Sequence, residues 1–318
     1  IGNQTKIKES KINPSGKYPV ITQEKDKIIS GYTDNENIID DLPLIVFGDH
    51  SCTVKYIDFP FIRGADGTQL LKVNQKDIIT KYLFYVLQDT NIENSDRYER
   101  HYKYLKNIKI PLPPLDVQQQ IVAECEKVDE EYNTVQKTIE ENKRKIEKLM
   151  SEVKGEMKRL GSVISLEYGK ALPENKRITG QYPVMGSNGI IGYHNEFLVE
   201  GPSIIVGRKG SAGAVNWVEE NNFPIDTTYY VHLLTDTMDL KFVYYSIANI
   251  GLETMNSSIG VPGLNRNDAY AINIPVPSLE EQQCIVQEIE TYEAEIVSAK
   301  AVLSACAEKK KMILDKWL

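Results

Sequence analysis

Residues 206–215, VGRKGSAGAV, carry the most suggestive chemistry in the chain. Gly207, Gly210 and Gly213 bring backbone N–H groups near the surface after an apolar run. Arg208 and Lys209 add two cations, and Ser211 adds a small donor. Such a loop can hold phosphate oxygens, and it equally suits a tight β-turn. No GK[ST] follows at Walker spacing, and the glycines do not form the GxGxxG pattern of a dinucleotide fold. At a comparable place, residues 47–55 read FGDHSCTVK and offer Asp49, His50, Ser51, Thr53 and Lys55. Asp49 beside His50 suggests acid–base work, but no nucleophile or metal cluster accompanies them. Two further polar groups precede the ends of the globular stretches. Residues 100–113 bring Arg100, His101, Tyr102 and Lys103; residues 258–277 bring Asn265, Arg266 and Asn267. Arg and Asn suit the acceptor-rich and mixed edges of purine bases. Each of these residues is also an ordinary solvated loop residue.

The background is that of a cytosolic globular protein. The 318 residues allow two domains, with 41% hydrophobic and 26% charged residues. No run of 18 apolar residues marks a membrane span. The four cysteines, Cys52, Cys125, Cys284 and Cys306, form no CxxC pair and no zinc spacing with histidine, so reduced thiols and no metal are expected. The formal net charge is −8. Residues 114–157 carry 11 acids and 7 bases, and residues 278–318 carry 8 acids and 5 bases. Most of the acidity therefore belongs to two segments, and the remainder of the chain is near neutral. A polyanion partner is not excluded.

An internal repeat dictates how these groups are positioned. IPLPPLDVQQQIV at 110–122 returns as IPVPSLEEQQCIV at 274–286, 164 residues later, with 8 of 13 positions identical. Tyr18-Pro19-Val20 matches Tyr182-Pro183-Val184 at the same offset, and Phe59-Pro60 matches Phe223-Pro224. Ile1 then corresponds to Ser165, and a short N-terminal counterpart of KRLGSVI, 158–164, is expected ahead of it. After each copy of the phrase an apolar stripe advances by alternating steps of four and three. The first runs Ile121, Cys125, Val128, Tyr132, Val135, Ile139, Asn142, Ile146, Leu149, Val153. The second runs Ile285, Ile289, Tyr292, Ile296, Ala299, Leu303, Cys306, Lys310, Ile313, Trp317. This spacing predicts a coiled-coil pair. The connectivity makes the pair antiparallel, with helix 121–153 spanning about 50 Å at 1.5 Å per residue. Gln118, Gln119, Gln282 and Gln283 stand at the helix starts, placed either to tie helix to module or to face a partner.

The modules read as mixed α/β. Residues 42–48 and 201–207 are buried strands by composition, and 222–234 alternates as a strand. Residues 79–88 and 240–250 read as helices with one apolar face. The expected fold is α/β (mixed α+β): globular domains at 1–113 and 158–277, and long helices at 114–157 and 278–318.

The doubled IPxPxLxxQQxIV phrase, the YPV pairs, GRKGSAG with DTTYY at 226–230, GLNRNDAY and FGDHS together resemble the DNA specificity (S) subunit of type I restriction–modification systems. The resemblance covers nearly the whole chain. It implies a non-catalytic subunit without a cofactor, whose two target-recognition domains each read half of a split double-stranded DNA site. It implies that the helices act as a ruler between the halves and dock two methyltransferase subunits, to which a motor–nuclease subunit can be added. In agreement, the sequence shows no NPP[YF] methyltransferase motif and no nuclease carboxylate–lysine cluster. Two alternatives stand beside this expectation: a coiled-coil scaffold for protein partners, and the specificity region of a larger fused enzyme.

Overall fold

The computed structural model describes residues 6–65, 67–90, 92, 100–255 and 263–318. The chain divides into two compact units, residues 1–136 with 301–318, and residues 137–300. Each unit holds one globular module and part of each long helix.

In the first unit, strand Tyr18–Ile21 pairs antiparallel with Gly31–Thr33 and parallel with Ile62–Arg63. A second sheet centres on Leu44–Gly48, flanked antiparallel by Val54–Ile57 and Thr68–Leu71. Every residue of Leu44–Gly48 is buried, as its continuous apolar run requires. Helix Thr80–Asp89 buries Tyr82, Tyr85 and Val86 against Ile121, Cys125 and Leu314 of the two long helices. Burial pushes the Cys125 thiol up to about 11, so it packs as a neutral side chain.

The second unit repeats this order. Tyr182–Gly186 pairs antiparallel with Gly189–His194 and parallel with Phe223–Pro224. Ser203–Gly207 is flanked antiparallel by Val215–Val218 and Thr228–Leu233. Helix Leu240–Asn249 corresponds to Thr80–Asp89. Two additions complete this module. Ile164–Tyr168 adds a fourth strand beside Thr228–Leu233, and Glu156–Arg159 pairs with Asn273–Val276. Between them, Leu160 and Val163 are buried in the core. The first-module counterpart of Ser165–Tyr168 falls on residues 1–4, outside the described residues. Leu112, the counterpart of buried Val276, is 54% exposed.

The long helices run Leu115–Ser151 and Leu279–Trp317. In the first unit Lys309 bonds Glu131 at 2.6 Å and Lys316 bonds Glu124 at 3.0 Å. One number rises by seven as the other falls by seven, so the pairing is antiparallel. Ile121, Cys125, Val128, Ile139, Ile289, Ile296, Ala299 and Cys306 are buried along the seam. Val135, Ile146, Leu149, Ile285, Tyr292, Leu303, Lys310, Ile313 and Trp317 are half-buried. Tyr132 departs from the expected seam. It is 41% exposed, and its hydroxyl accepts a hydrogen bond from Gln136 Nε2 at 3.2 Å. Val153 follows the end of its helix. Met150 and Leu314, one position off the stripe, are buried instead.

A glutamine from the repeated phrase fastens each long helix to its module. Gln118 is fully buried. Its Nε2 donates to Asp77 O at 2.8 Å and Pro113 O at 2.9 Å, and its Oε1 accepts from Ile79 N at 2.9 Å. Gln282 repeats the pattern, donating to Thr237 O and Pro277 O at 3.0 Å and accepting from Asp239 N at 2.8 Å. A phenol adds a second tie about three turns along. Tyr85 donates to Asp129 at 2.6 Å and Tyr245 to Glu293 at 2.7 Å. Burial first, then the carboxylate bond, holds both phenols well above their usual range. Gln119 and Gln283, the second glutamine of each pair, are exposed. Both roles foreseen for these glutamines are thus open, one to each member.

Gln282→Leu would strip the Asp239 N–H and the Thr237 and Pro277 carbonyls of this partner, at up to about 1–3 kcal/mol for each group kept from water. We expect equilibrium denaturation to show a loss of about 3 kcal/mol. Gln283→Leu, at an exposed position, should change stability by about 0.5 kcal/mol or less. Equal effects from the two substitutions would remove Gln282 from its role as the joint.

Candidate nucleic-acid interface

In the second module the structure gathers residues that are far apart in sequence around one exposed ring. Tyr168 ends strand Ile164–Tyr168 and lies directly across from Tyr229. Their rings are 5.1 Å apart and tilted. Tyr168 remains 49% exposed. The Arg208 guanidinium stands 5.4 Å from its centre and that of Arg266 5.1 Å. Gly169, next in the chain, lets the backbone pass close to Pro224 and Ile225. A Cβ there would lie 2.2 Å from Ile225 O.

Each arginine is aimed by the backbone. Arg208 donates from Nε and Nη2 to Asp226 O at 2.9 and 2.6 Å. Arg266 reaches Leu166 O with Nη1 at 3.5 Å. Asn265 caps the short helix Arg266–Tyr270, its Oδ1 accepting from Asn267 N at 2.9 Å. Leu264 N donates to Arg208 O at 3.0 Å, and Lys209 bridges to Gly263, so the 208–211 loop and the 263–267 segment meet. The stretch 258–262, which begins that segment in the sequence, lies outside the described residues. Beneath the ring, burial and then the Tyr168 hydrogen bond push the Tyr229 phenol up to about 12. It stays neutral and donates to Leu264 O at 3.3 Å.

The glycine loop closes on itself. Gly207 N donates to Ala214 O at 2.7 Å and Gly213 N to Gly207 O at 2.8 Å. Arg208 N and Lys209 N both donate to Thr227 O. These donors are therefore committed to the turn, the second of the two readings the sequence left open. Gly213 has φ +87°, and a Cβ on it would lie 2.4 Å from Glu253 N. Gly210, at φ +76°, faces open space. Lys209, Gly210 and Ser211 are exposed at the tip.

The first module uses the same frame with other side chains. His101 N donates to Asp49 O at 2.8 Å, the counterpart of the Leu264–Arg208 bond. Asp49 is buried, however, and its carboxylate accepts from Tyr102 N at 2.8 Å and Gln69 Nε2 at 3.3 Å. Lys55 is also buried. Its ammonium donates to Thr22 O at 3.0 Å and Lys27 O at 2.5 Å, and burial pushes its pKa down. Both residues build the loop from inside, which corrects their expected place on a contact surface. Thr53 Oγ1 is bonded to Gln23 O at 3.0 Å and to the Ser51 hydroxyl. His50 and Ser51 are half-buried, and Arg100 and Lys103 are exposed. The Lys103 ammonium stands 4.7 Å from the Tyr104 ring. The Asp49 carboxylate, next to His50 in the chain, is bonded to Tyr102 N and Gln69 Nε2 below the surface.

Chemically, an exposed ring flanked by two guanidinium groups suits planar bases and phosphate oxygens. Tyr168 was not singled out from the sequence. Its place depends on pairing with Tyr229, 61 residues on, and no local pattern announces that pairing. Among the described residues no cluster of three His, Cys, Asp or Glu side chains is arranged to hold a metal ion, and no helix is long and apolar enough to cross a membrane.

Comparison with known proteins agrees with this frame. Residues 1–143 and 152–302 each match the family model described as the type I restriction modification DNA specificity domain. The chain is 25% identical over 173 residues to the type I restriction enzyme EcoprrI specificity subunit of Escherichia coli. That match covers 52% of this chain and 43% of the relative, so it spans less than half of the relative's length. Among solved structures the fold is similar to the type I restriction–modification S subunit of M. genitalium. The TM-score is 0.62 at 19% identity, over 98% of this chain and 91% of that one. It is also similar to a chain from a study of complex assembly and conformational transition in a type I R-M system. There the TM-score is 0.57 at 16% identity, over 96% and 92% of the two chains. With two matches that together span most of its length, the chain belongs to the type I restriction modification DNA specificity domain family.

Proposed function

We propose that this chain is the non-catalytic, sequence-specific DNA-binding subunit of a type I restriction–modification system, reading a bipartite double-stranded site. Residues 1–113 and 158–277 are the readers. Residues 114–157 and 278–318 form the spacer that holds them and docks methyltransferase subunits, two by the logic of the repeat. A motor–nuclease subunit can join the same assembly in the cytoplasm. The observation that carries the reading is the pair of equivalent hydrogen bonds, His101 N to Asp49 O and Leu264 N to Arg208 O. One backbone frame is used twice and displays unlike side chains. Two readers of different sequences on one scaffold need that arrangement.

Within this reading Arg208, Lys209, Gly210, Ser211, Asn265 and Arg266, with Tyr168, form the contact surface of the second module. His50, Ser51, Thr53, Arg100 and Lys103 frame that of the first. The near-neutral modules supply few phosphate contacts, so partners add much of the affinity. Exposed Gln119 and Gln283, next in the chain to the joint glutamines, are placed to meet those partners.

The test is binding by the chain reconstituted with its methyltransferase. We expect a strong preference for one split site over scrambled duplexes, with no sequence preference in the spacer. Arg266→Ala should weaken binding by about 1–3 kcal/mol and relax selectivity in one half-site only. Equal affinity for split and scrambled duplexes would exclude the reading.

A further inference from the structure

Each module holds a second turn, fastened to its recognition loop at the same place in the repeat. In the second module strand Tyr182–Gly186 returns as Gly189–His194 through two residues, Ser187 and Asn188. Ser187 Oγ lies 2.7 Å from Lys209 O and 2.8 Å from Thr227 O, and so ties the turn to the 208–211 loop. Its counterpart 164 residues earlier is Gln23. Gln23 Oε1 accepts from His50 N at 3.1 Å, and Gln23 O accepts from Thr53 Oγ1 at 3.0 Å. The approach is close in both modules. A Cβ on Gly207 would lie 3.1 Å from Ser187 Cβ, and one on Gly48 would lie 2.8 Å from Gln23 Cβ.

Both turns are also supported from the neighbouring sheet. Lys55 and Asn216 hold equivalent strand places, opposite Val46 and Ile205. The buried Lys55 ammonium bonds Thr22 O and Lys27 O, near the two ends of the first turn. Asn216 Oδ1 stands beside Gly189, 3.8 Å from where a Cβ would be. The flanks of the turns are alike. Tyr-Pro-Val precedes each, and Ile28-Ile29 and Ile190-Ile191 follow, with Ile28 56% and Ile190 57% exposed. Only the tip between the tie and the isoleucines varies. It reads Glu24-Lys25-Asp26-Lys27 in the first module and Asn188-Gly189 in the second. Residues 24–27 and Asn188 are exposed. Burial raises the Cys52 thiol and the charge of Lys25 opposes the rise, so Lys25 stands beside the 47–55 loop. A constant frame under an exposed tip that differs in length and charge is the arrangement of a specificity loop on a rigid support.

We propose that this turn is a second reading element in each module, and that Asn188 reads an adenine in the half-site of the second. The inference rests on the split-site reading above. An Asn side chain presents a donor and an acceptor together, the complement of adenine N7 and N6 in the major groove. Gly189, at φ +108°, serves the tight return that leaves Asn188 at the tip. Through the Ser187 tie the tip continues the surface of Arg208 and Arg266, and adds a base pair that neither arginine reads.

The experiment uses the complex reconstituted with its methyltransferase and selection from random duplexes. Wild type should require adenine at one position of the half-site read by residues 158–277. Placing 7-deazaadenine there, which lacks the N7 acceptor, should weaken binding about tenfold. Asn188→Asp keeps a residue that favours the turn and loses the donor. It should lower the adenine preference about tenfold and admit cytosine, whose N4 amine suits a carboxylate. The remaining positions and the other half-site should be unchanged. Asn188→Gly, also compatible with the turn, should lose the preference, and decides the matter if Asn188→Asp does not fold. Absence of an adenine requirement in wild type would overturn the assignment and leave the split-site reading intact. So would an unchanged adenine preference in folded Asn188→Asp, or in Asn188→Gly where Asp fails. Weaker assembly with the methyltransferase at unchanged selectivity would make the turn a protein contact and overturn it too. Equal affinity of wild type for split and scrambled duplexes would overturn the split-site reading, and the reading turn with it.

Discussion

The structure depends on a buried amide that joins helix to module. A long exposed helix has no intrinsic reason to leave its domain at one angle. Gln118 and Gln282 supply the reason, each closing three hydrogen bonds with backbone groups at the start of a module helix and at the prolines before the long helix. In a buried setting such groups hold their geometry, because every alternative leaves one of them unpaired. Tyr85 with Asp129 and Tyr245 with Glu293 restrain the helix about three turns on. The phrase IPxPxLxxQQxIV thus has a mechanical meaning: prolines end the module, one glutamine makes the joint, and the other faces water.

A joint of this kind passes module orientation into the helix, and the helix pair must then carry it. The two units do so with different chemistry. Around Lys309 and Lys316 the pairing relies on ion pairs to Glu131 and Glu124, which are partly exposed and modest in energy. Around Asn142 it relies on that buried amide, bonded to Glu295. On this frame the loops at the strand ends are free to differ. Gly207 and Gly48 close equivalent turns, and the residues that follow, Arg208 and Asp49, differ in charge and in burial.

Much of this was legible in the sequence. The repeat gave the duplication, and the three-four stripe gave the helix pair, because both follow from patterns within one segment. Buried Ile121, Cys125, Ile139 and Ile289 fall where the stripe places them. Tyr132 does not, since the stripe records which residues are apolar and not how wide a partner lies opposite. Met150 and Leu314 are buried for the same reason, one position aside. Polar residues were harder to place. Asp49 and Lys55 looked like surface groups because they lie near a loop, yet their partners sit 53 and 33 residues away in the chain. Tyr168 was overlooked because a cross-strand neighbour and two distant arginines define it. Long-range partners decide the fate of a polar side chain, and a single sequence does not display them.

The central claim is that one frame is used twice and that its side chains alone set what each half reads. Replacing residues 1–113 with a second copy of residues 165–277 tests this most directly, with the recognised site read out by selection from random duplexes in the reconstituted complex. The account predicts a site made of two copies of a single half-site, separated by the original spacer. Retention of the original asymmetric site would contradict it.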